Sequence, residues 1–90
     1  MELAEKLKLM RKKAGLTQKE VADKLGITYQ SYGQYERGLR NPKYESIQKI
    51  ASALNCDISE VLTPDEEREM IIDELVENLL SKEKNTQTKE

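Results

Sequence analysis

The chain has 90 residues and a slightly acidic balance of 15 basic and 17 acidic side chains, which suits one domain with a modest core. It contains no histidine and one cysteine, which excludes imidazole chemistry, an intrachain disulfide and a zinc site. No apolar run reaches membrane-spanning length and no signal-peptide core begins the sequence, so we expect a cytoplasmic protein with no membrane partner.

The first predicted helix covers about residues 2–14. Leu3, Leu7 and Met10 recur at helical spacing and would face the core, while the lysines between them would face solvent. Basic side chains are concentrated just before Gly15, where they would stabilise the negative end of the helix dipole. The pattern predicts an amphipathic helix that packs on the domain with one side.

Residues 15–42 predict two short helices joined by a tight turn. Thr17 and Glu20 form a capping-box pattern that begins the first of them, and Gly26 can end it in the left-handed conformation. Only one further residue precedes Thr28, a good N-cap for the next helix. Because so short a connection forces the helices to pack at a steep angle, the segment is typical of a helix-turn-helix.

The second helix of this pair, residues 29–37, keeps one face free of core residues. At about 100° per residue, Tyr32 and Tyr35 point inward. The outward face holds Tyr29, Gln30, Gly33 and Gln34. Glutamine can bond adenine or other base edges in the major groove, and Gly33 has no side chain to hold another surface away. An ordinary solvated face is the alternative, since such polar residues are common on exposed helices.

Two further helices would complete this domain. The fourth covers about residues 44–54 and buries Ile47, Ile50, Ala51 and Leu54. Its N-cap position holds Lys43, which offers no capping oxygen, so the sequence does not fix where this helix begins. Asp57 and Glu60 have capping-box spacing and predict a short fifth helix. Between the two helices, Cys56 is expected to be a small buried apolar residue rather than a nucleophile.

Thr63 and Pro64 are the clearest helix start in the chain, an N-cap followed by proline at the first helical position. The sixth predicted helix covers residues 64–81 and carries six apolar side chains along one side, which we call the apolar stripe: Ile71, Ile72, Leu75, Val76, Leu79 and Leu80. Asp73, Glu74 and Glu77 are predicted on the opposite, solvated side. Residues 82–90 have no apolar anchor and are predicted to be disordered.

The apolar stripe is wider than one coiled-coil seam and too short for an independent coiled coil. We therefore expect this helix to pack on its own domain with one edge and on a second subunit with the other. The alternative is that the apolar stripe only covers the core of its own domain.

A set of positions characteristic of one known family runs from about residue 3 to residue 62: Leu7, Met10, Arg11, Gly15-Leu16-Thr17-Gln18, Val21-Ala22, Leu25-Gly26-Ile27-Thr28, Tyr32, Tyr35-Glu36-Arg37-Gly38, Pro42, Ile50-Ala51 and Ala53-Leu54. In this combination the chain resembles the Cro and lambda-repressor family, the bacterial and phage helix-turn-helix regulators also called the xenobiotic-response-element type. The resemblance implies an all-α, five-helix lambda-repressor-like DNA-binding domain over residues 1–63, followed by the amphipathic helix.

The resemblance also implies a function and a set of site residues. The protein would be a sequence-specific regulator, expected to repress, that binds a palindromic operator in double-stranded DNA as a homodimer. Base edges would be contacted by Tyr29, Gln30, Ser31 and Gln34. Phosphates would be contacted by Gln18, Thr28, Arg37, Arg40 and Asn41. No cofactor, metal or small-molecule ligand is expected.

Arg11 and Glu36 match a pair that forms a salt bridge beneath the helix-turn-helix in this family. A bidentate contact would fix the recognition helix, residues 29–37, against the first helix. Two surface charges that contribute little are the alternative. Helical spacing does not decide between them, because Glu36 lies at the edge of the outward face.

The charge of the chain is divided between its halves. Residues 1–44 carry ten basic and five acidic side chains, whereas residues 45–90 carry five basic and twelve acidic ones. The basic half contains the helix-turn-helix, so the field that attracts phosphates would be local rather than global. We expect the acidic half to face away from DNA.

A different class of function is a protein-interaction module, such as an antitoxin, in which the C-terminal helix binds a different protein. A self-complementary apolar stripe would give a homodimer in isolation, whereas a partner-binding one would leave a monomer. An enzyme is not expected, because no nucleophile is paired with a base in the sequence.

Overall fold

The computed structural model describes the backbone of residues 2–89 and the side chains of residues 2–81. Within that part of the chain it contains five α-helices and one 3₁₀ turn. They are α1 (Leu3–Lys13), α2 (Gln18–Leu25), α3 (Tyr29–Glu36), α4 (Tyr44–Ala53), the 3₁₀ turn (Ile58–Glu60) and α5 (Pro64–Lys89). The all-α class is confirmed.

The predicted fifth helix is a single 3₁₀ turn rather than an α-helix. Its capping box is present, with the Asp57 amide donating to Glu60 Oε2 at 2.9 Å. The turn is short because Val61 and Leu62 enter the core directly after it, and Thr63 then begins α5. The segment has no room for a second turn.

The core lies where α1 to α4 meet the 3₁₀ turn. Its buried members are Leu7, Val21, Ala22, Tyr32, Ile47, Ile50, Leu54, Val61 and Leu62. Leu3 and Met10, also predicted inside, are half-buried and pack at its margin, as does Leu25. Each fully buried large apolar side chain contributes about 1.5–3 kcal/mol relative to exposure, so this cluster is the main source of stability.

The predicted caps at both ends of α2 and at the start of α3 are confirmed by their hydrogen bonds and backbone conformation. Thr17 Oγ1 accepts from the Glu20 amide at 3.1 Å, and Glu20 Oε1 accepts from the Thr17 amide at 2.9 Å. Gly26 ends α2 with φ at 72°, a conformation that glycine adopts without steric cost. Thr28 Oγ1 then accepts from the Ser31 amide at 3.1 Å and begins α3. These caps set the angle between α2 and α3.

Helix α5 contacts its own domain with the side opposite to the apolar stripe. Met70 packs against the core, and Glu67 and Glu74 are half-buried beside it. Glu74 was predicted on the solvated side, which is wrong: its carboxylate accepts a hydrogen bond from the Glu45 amide at 3.3 Å. The start of α4 provides the reason, because it has no side-chain cap of its own and leaves amides to be satisfied.

The apolar stripe is exposed along its whole length. Exposure ranges from 37% at Ile71 to 62% at Leu79, and the other four residues lie between these values. The alternative that the stripe covers the core of its own domain is therefore wrong. The division of the chain at residue 63 and a dimerisation role for residues 64–81 stay predictions.

Two details near the C-terminal half differ from expectation. The backbone of α5 continues to Lys89, beyond the predicted end at residue 81. The structure describes no side chains for residues 82–90, and the predicted disorder of this segment stays a prediction. Cys56 is half-buried rather than buried. Partial burial, with Glu60 and Asp57 nearby, raises the pKa of the Cys56 thiol, which disfavours the nucleophilic thiolate.

Candidate nucleic-acid interface

A buried ion pair joins α1 to the end of α3. Arg11 Nε donates to Glu36 Oε2 at 2.7 Å and Nη2 donates to Oε1 at 3.0 Å, which is the bidentate geometry expected from the resemblance. Arg11 Nη1 also donates to the Leu16 carbonyl at 2.9 Å. Both residues are only 9% exposed. The guanidinium therefore connects α1, the loop before α2 and the end of α3.

Gln18 is a third member of this cluster. Its Nε2 donates to Glu36 Oε1 at 3.0 Å, so the amide nitrogen of a predicted phosphate contact is engaged inside the protein. Helical periodicity could not predict this bond, since the two residues lie on different helices. The cluster fixes the start of α2 against the end of α3.

The carboxyl group of Glu36 has a shifted pKa. Its burial acts to raise the pKa, but hydrogen bonds from Arg11 and Gln18 outweigh burial, and the pKa lies below its ordinary value. Burial and the nearby Glu36 carboxylate raise the pKa of Tyr32, which stays neutral. The Tyr32 hydroxyl does not reach hydrogen-bond geometry with Glu36 or with any other described residue.

The lowered pKa of Glu36 predicts a pH dependence of stability. A carboxyl with a lower pKa in the folded state stabilises the fold above its unfolded pKa, and this contribution is lost as pH falls through the folded pKa. We expect the difference in unfolding free energy between the native chain and Glu36→Gln to be largest above about pH 5 and to shrink toward about pH 3. Urea denaturation at several pH values measures it. A difference that stays constant with pH would contradict the shift.

The outer face of α3 contains most of the predicted base-contacting side chains. Tyr29 is 52% exposed, Gln30 is exposed, and Ser31 and Gln34 are half-buried. The Ser31 hydroxyl accepts from Thr28 Oγ1 at 3.0 Å. Thr28, predicted to contact phosphate, therefore has its hydroxyl engaged at the cap of α3.

Gly33 was predicted on this outer face, which is wrong. It is buried, and a Cβ placed on it would lie 3.4 Å from Gln18 Oε1 and 3.5 Å from Arg37 Nη1. Glycine is useful here because the side chains of Gln18 and Arg37 fold across the helix at this position. The close approach that the sequence suggested is to the protein itself.

The segment after α3 carries the other predicted phosphate contacts. We call residues 37–43 the α3–α4 loop. Arg37, Arg40 and Asn41 are exposed on it, and the Arg40 guanidinium lies 6.0 Å from the centre of the Tyr35 ring. The amides of Leu39 and Arg40 donate to the Gln34 carbonyl at 3.0 and 3.3 Å. The loop thus begins as a tight turn fixed to α3, and both of its arginines remain accessible to solvent.

No group of three or more potential metal ligands occurs among the described residues. None of the helices there has the length and apolar character needed to cross a bilayer.

Comparison with known proteins identifies the arrangement. The profile of the family described as "Helix-turn-helix" matches residues 7–61, more than half of the chain. The chain belongs to the helix-turn-helix regulators of Cro and lambda-repressor type. The match begins within α1 and ends just after the 3₁₀ turn, so it covers the ion pair and the α3–α4 loop but not α5.

Three relatives of this helix-turn-helix chain illustrate the likeness. The uncharacterized HTH-type transcriptional regulator YqaE of Bacillus subtilis is 38% identical over 71 residues, covering 79% of this chain and 61% of the relative. ImmR of the same species, an HTH-type transcriptional regulator, is 39% identical over 66 residues, covering 73% and 52%. The cryptic phage CTXphi transcriptional repressor RstR of Vibrio cholerae is 37% identical over 75 residues, covering 80% and 67%. The chain thus spans about half to two thirds of these relatives.

Proposed function

We propose that this protein is a cytoplasmic, sequence-specific regulator of transcription that binds a palindromic operator in double-stranded DNA as a homodimer and represses by occluding a promoter. The family supports DNA binding and regulation, and the repressor name of a relative supports the direction of the effect. The observation that carries the proposal is the outer face of α3, which presents Tyr29, Gln30 and Gln34 beside the exposed cations of the α3–α4 loop.

The recognition helix is suited to this role because its inner side is rigidly held. Tyr32 is fully buried in the core, and Glu36 is bonded by Arg11 and Gln18. A helix held in this way keeps its outer side chains in one orientation, so that base contacts need little further ordering on binding. Phosphate contacts by Arg37, Arg40 and Asn41 would supply affinity and register, and base contacts would supply sequence choice.

The exposed apolar stripe supports the homodimer. Six neighbouring apolar side chains over three helical turns form a patch of the kind that marks an interaction surface. A second copy of the chain is the occupant we propose, because closed two-fold assembly is the commonest arrangement of soluble oligomers. It would place two recognition helices on half-sites about one helical turn of DNA apart, roughly 34–36 Å.

The same stripe is the observation that favours the second candidate, a module that binds a different protein through α5. Light scattering on the purified chain separates the two candidates. A dimer at micromolar concentration supports the homodimeric regulator. A monomer that selects no sequence from a random pool of double-stranded DNA would support the interaction module instead.

Substitutions on the recognition face test the proposed base contacts. Gln30→Ala and Gln34→Ala should each weaken binding to the selected operator by about 1–3 kcal/mol, because a glutamine that bonds a base edge contributes about that much discrimination. Binding to unrelated DNA should hardly change. The fold should be unaffected, since Gln34 fixes the α3–α4 loop through its backbone carbonyl. Unchanged operator preference in both variants would show that this face does not contact the bases.

Arg40→Ala is the matched contrast for these glutamine variants. A phosphate contact carries no sequence information, so this variant should weaken binding to operator and unrelated DNA alike. The slope of log K against log salt should become shallower by about one unit. Fluorescence anisotropy titrations at several salt concentrations measure both quantities for all three variants.

A further inference from the structure

Helix α4 begins without a cap from its own segment. Its N-cap residue is Lys43, whose side chain makes no capping hydrogen bond. The acceptor comes instead from α5, where Glu74 Oε1 lies 3.3 Å from the Glu45 amide. A carboxylate at this position satisfies a free amide and opposes the positive end of the helix dipole. Helix α5 therefore supplies the cap that the sequence before α4 lacks.

A second, shorter contact joins the same two helices. The Tyr44 hydroxyl donates to Glu67 Oε2 at 2.6 Å, a partly buried bond between residues 23 positions apart, and hydrogen bonds to a carboxylate are among the strong ones. Tyr44 is also packed against the core. An exposed ion pair between Lys43 and Glu77, with nitrogen and oxygen 3.6 Å apart, adds little by itself. Three successive residues at the start of α4 thus contact α5.

These contacts fix the far end of the α3–α4 loop. Its near end is held by the Gln34 carbonyl. At its far end Pro42 is buried, and it lines a cleft of about 170 Å³ whose other wall is formed by Met70 and Glu74 of α5. Arg40 and Asn41 lie between the two fixed ends. Any movement of α5 relative to α4 would therefore be transmitted to the residues that follow Arg40.

We propose that α5 positions the α3–α4 loop for DNA, with Glu67 and Glu74 as positioning residues that act on Arg40 and Asn41 through the start of α4. This inference rests on the proposed function, in which Arg40 and Asn41 contact DNA phosphates. It gives α5 a role within one subunit that is separate from its exposed apolar stripe. Neither carboxylate needs to touch the nucleic acid.

Whether removal of the carboxylate weakens or strengthens DNA binding distinguishes a positioning role from a purely electrostatic one. A carboxylate near DNA repels phosphates, so its removal should strengthen binding if only the overall field matters. If the carboxylate positions the loop, its removal should weaken binding instead. Glu69 is the matched control, because it is an exposed acid on the same helix whose spacing from Glu67 and Glu74 places it away from the domain.

The experiment compares Tyr44→Phe, Glu74→Ala and Glu69→Ala in the full chain. Tyr44→Phe removes only the hydroxyl and leaves net charge unchanged. We expect it and Glu74→Ala each to weaken operator binding about fivefold, the equivalent of about 1 kcal/mol. Glu69→Ala should bind equally or slightly more tightly. Tyr44→Phe and Glu74→Ala should both keep the oligomeric state of the native chain, which light scattering can verify.

Combination with Arg40→Ala shows whether the effect passes through the loop. If Glu74 acts by placing Arg40, the loss caused by Glu74→Ala should be much smaller in the Arg40→Ala background, which is a coupling that general destabilisation would not produce. Full additivity of the two losses would overturn the proposal. So would a Glu74→Ala variant that binds as Glu69→Ala does.

Hydrogen exchange on the free protein tests the inference independently of DNA. Tyr44→Phe and Glu74→Ala should accelerate exchange of the Glu45 amide and of the amides of Leu39 and Arg40, while amides of α2 keep their native rates. Unchanged exchange in the loop would overturn the proposal even if the native chain binds an operator. Failure of the native chain to select DNA, with faster exchange in the variants, would overturn the proposed function and leave the structural coupling supported.

Discussion

Glu36→Ala is expected to lower the free energy of unfolding by about 3–5 kcal/mol, because it leaves the Arg11 guanidinium buried without its partner. The side chain of Glu36 is only 1% exposed and that of Arg11 is 11% exposed, so the guanidinium is left in a site that is largely shielded from solvent. Gln18 loses its acceptor as well. For a domain whose whole stability is about 5–15 kcal/mol, this loss should lower the melting temperature by many degrees.

Glu45→Ala is the matched control. Glu45 forms an ion pair with Lys49 at 3.5 Å, but both side chains are mostly exposed, and such pairs contribute about 0.3–0.5 kcal/mol. Thermal unfolding followed by circular dichroism compares the two variants directly. If Glu36→Ala melted within a degree or two of the native chain, the pair would have to be regarded as an ordinary surface contact.

The features that sequence predicted best are those decided by residues close together in the chain. Thr17 and Glu20, three positions apart, determine where α2 begins, and both capping bonds are present. Gly26 likewise ends α2 by its own conformational freedom. Apolar spacing was sufficient for the core side of α4, where Ile47, Ile50 and Ala51 are all buried as predicted.

The errors concern contacts between distant segments. Gly33 was assigned to the outer face because periodicity within α3 takes no account of Gln18 on α2, whose side chain folds over it. Glu74 was assigned to solvent because no pattern within α5 reveals that the start of α4 lacks a cap. The Arg11–Glu36 pair followed from family resemblance rather than from spacing, since the residues lie 25 positions apart.

Leu75→Glu should abolish the proposed homodimer while leaving the domain folded. Leu75 is 57% exposed in the single chain, so a carboxylate there remains hydrated in the monomer. In a dimer sealed by the apolar stripe the same carboxylate would lose its water without gaining a partner, and burial of an isolated charge is costly. Met70 and Glu67 keep their contacts in this variant, whereas a truncation that removes α5 would also remove Met70 from the core and the Glu67 carboxylate from the Tyr44 hydroxyl.

The consequence for DNA follows from the loss of linkage between half-sites. Two joined domains gain an effective concentration that strengthens binding by about 10²–10⁴-fold over either alone. The affinity of Leu75→Glu for a full operator should therefore fall by a factor in this range, whereas its affinity for a single half-site should change little. Leu9→Glu, at a leucine of α1 that is 43% exposed, is the matched control and should keep both the dimer and its affinity. Sedimentation velocity and binding to full and half operators measure the two effects. A Leu75→Glu variant that still sediments as a dimer would exclude the apolar stripe as the dimer contact and point instead to α4 and the 3₁₀ turn.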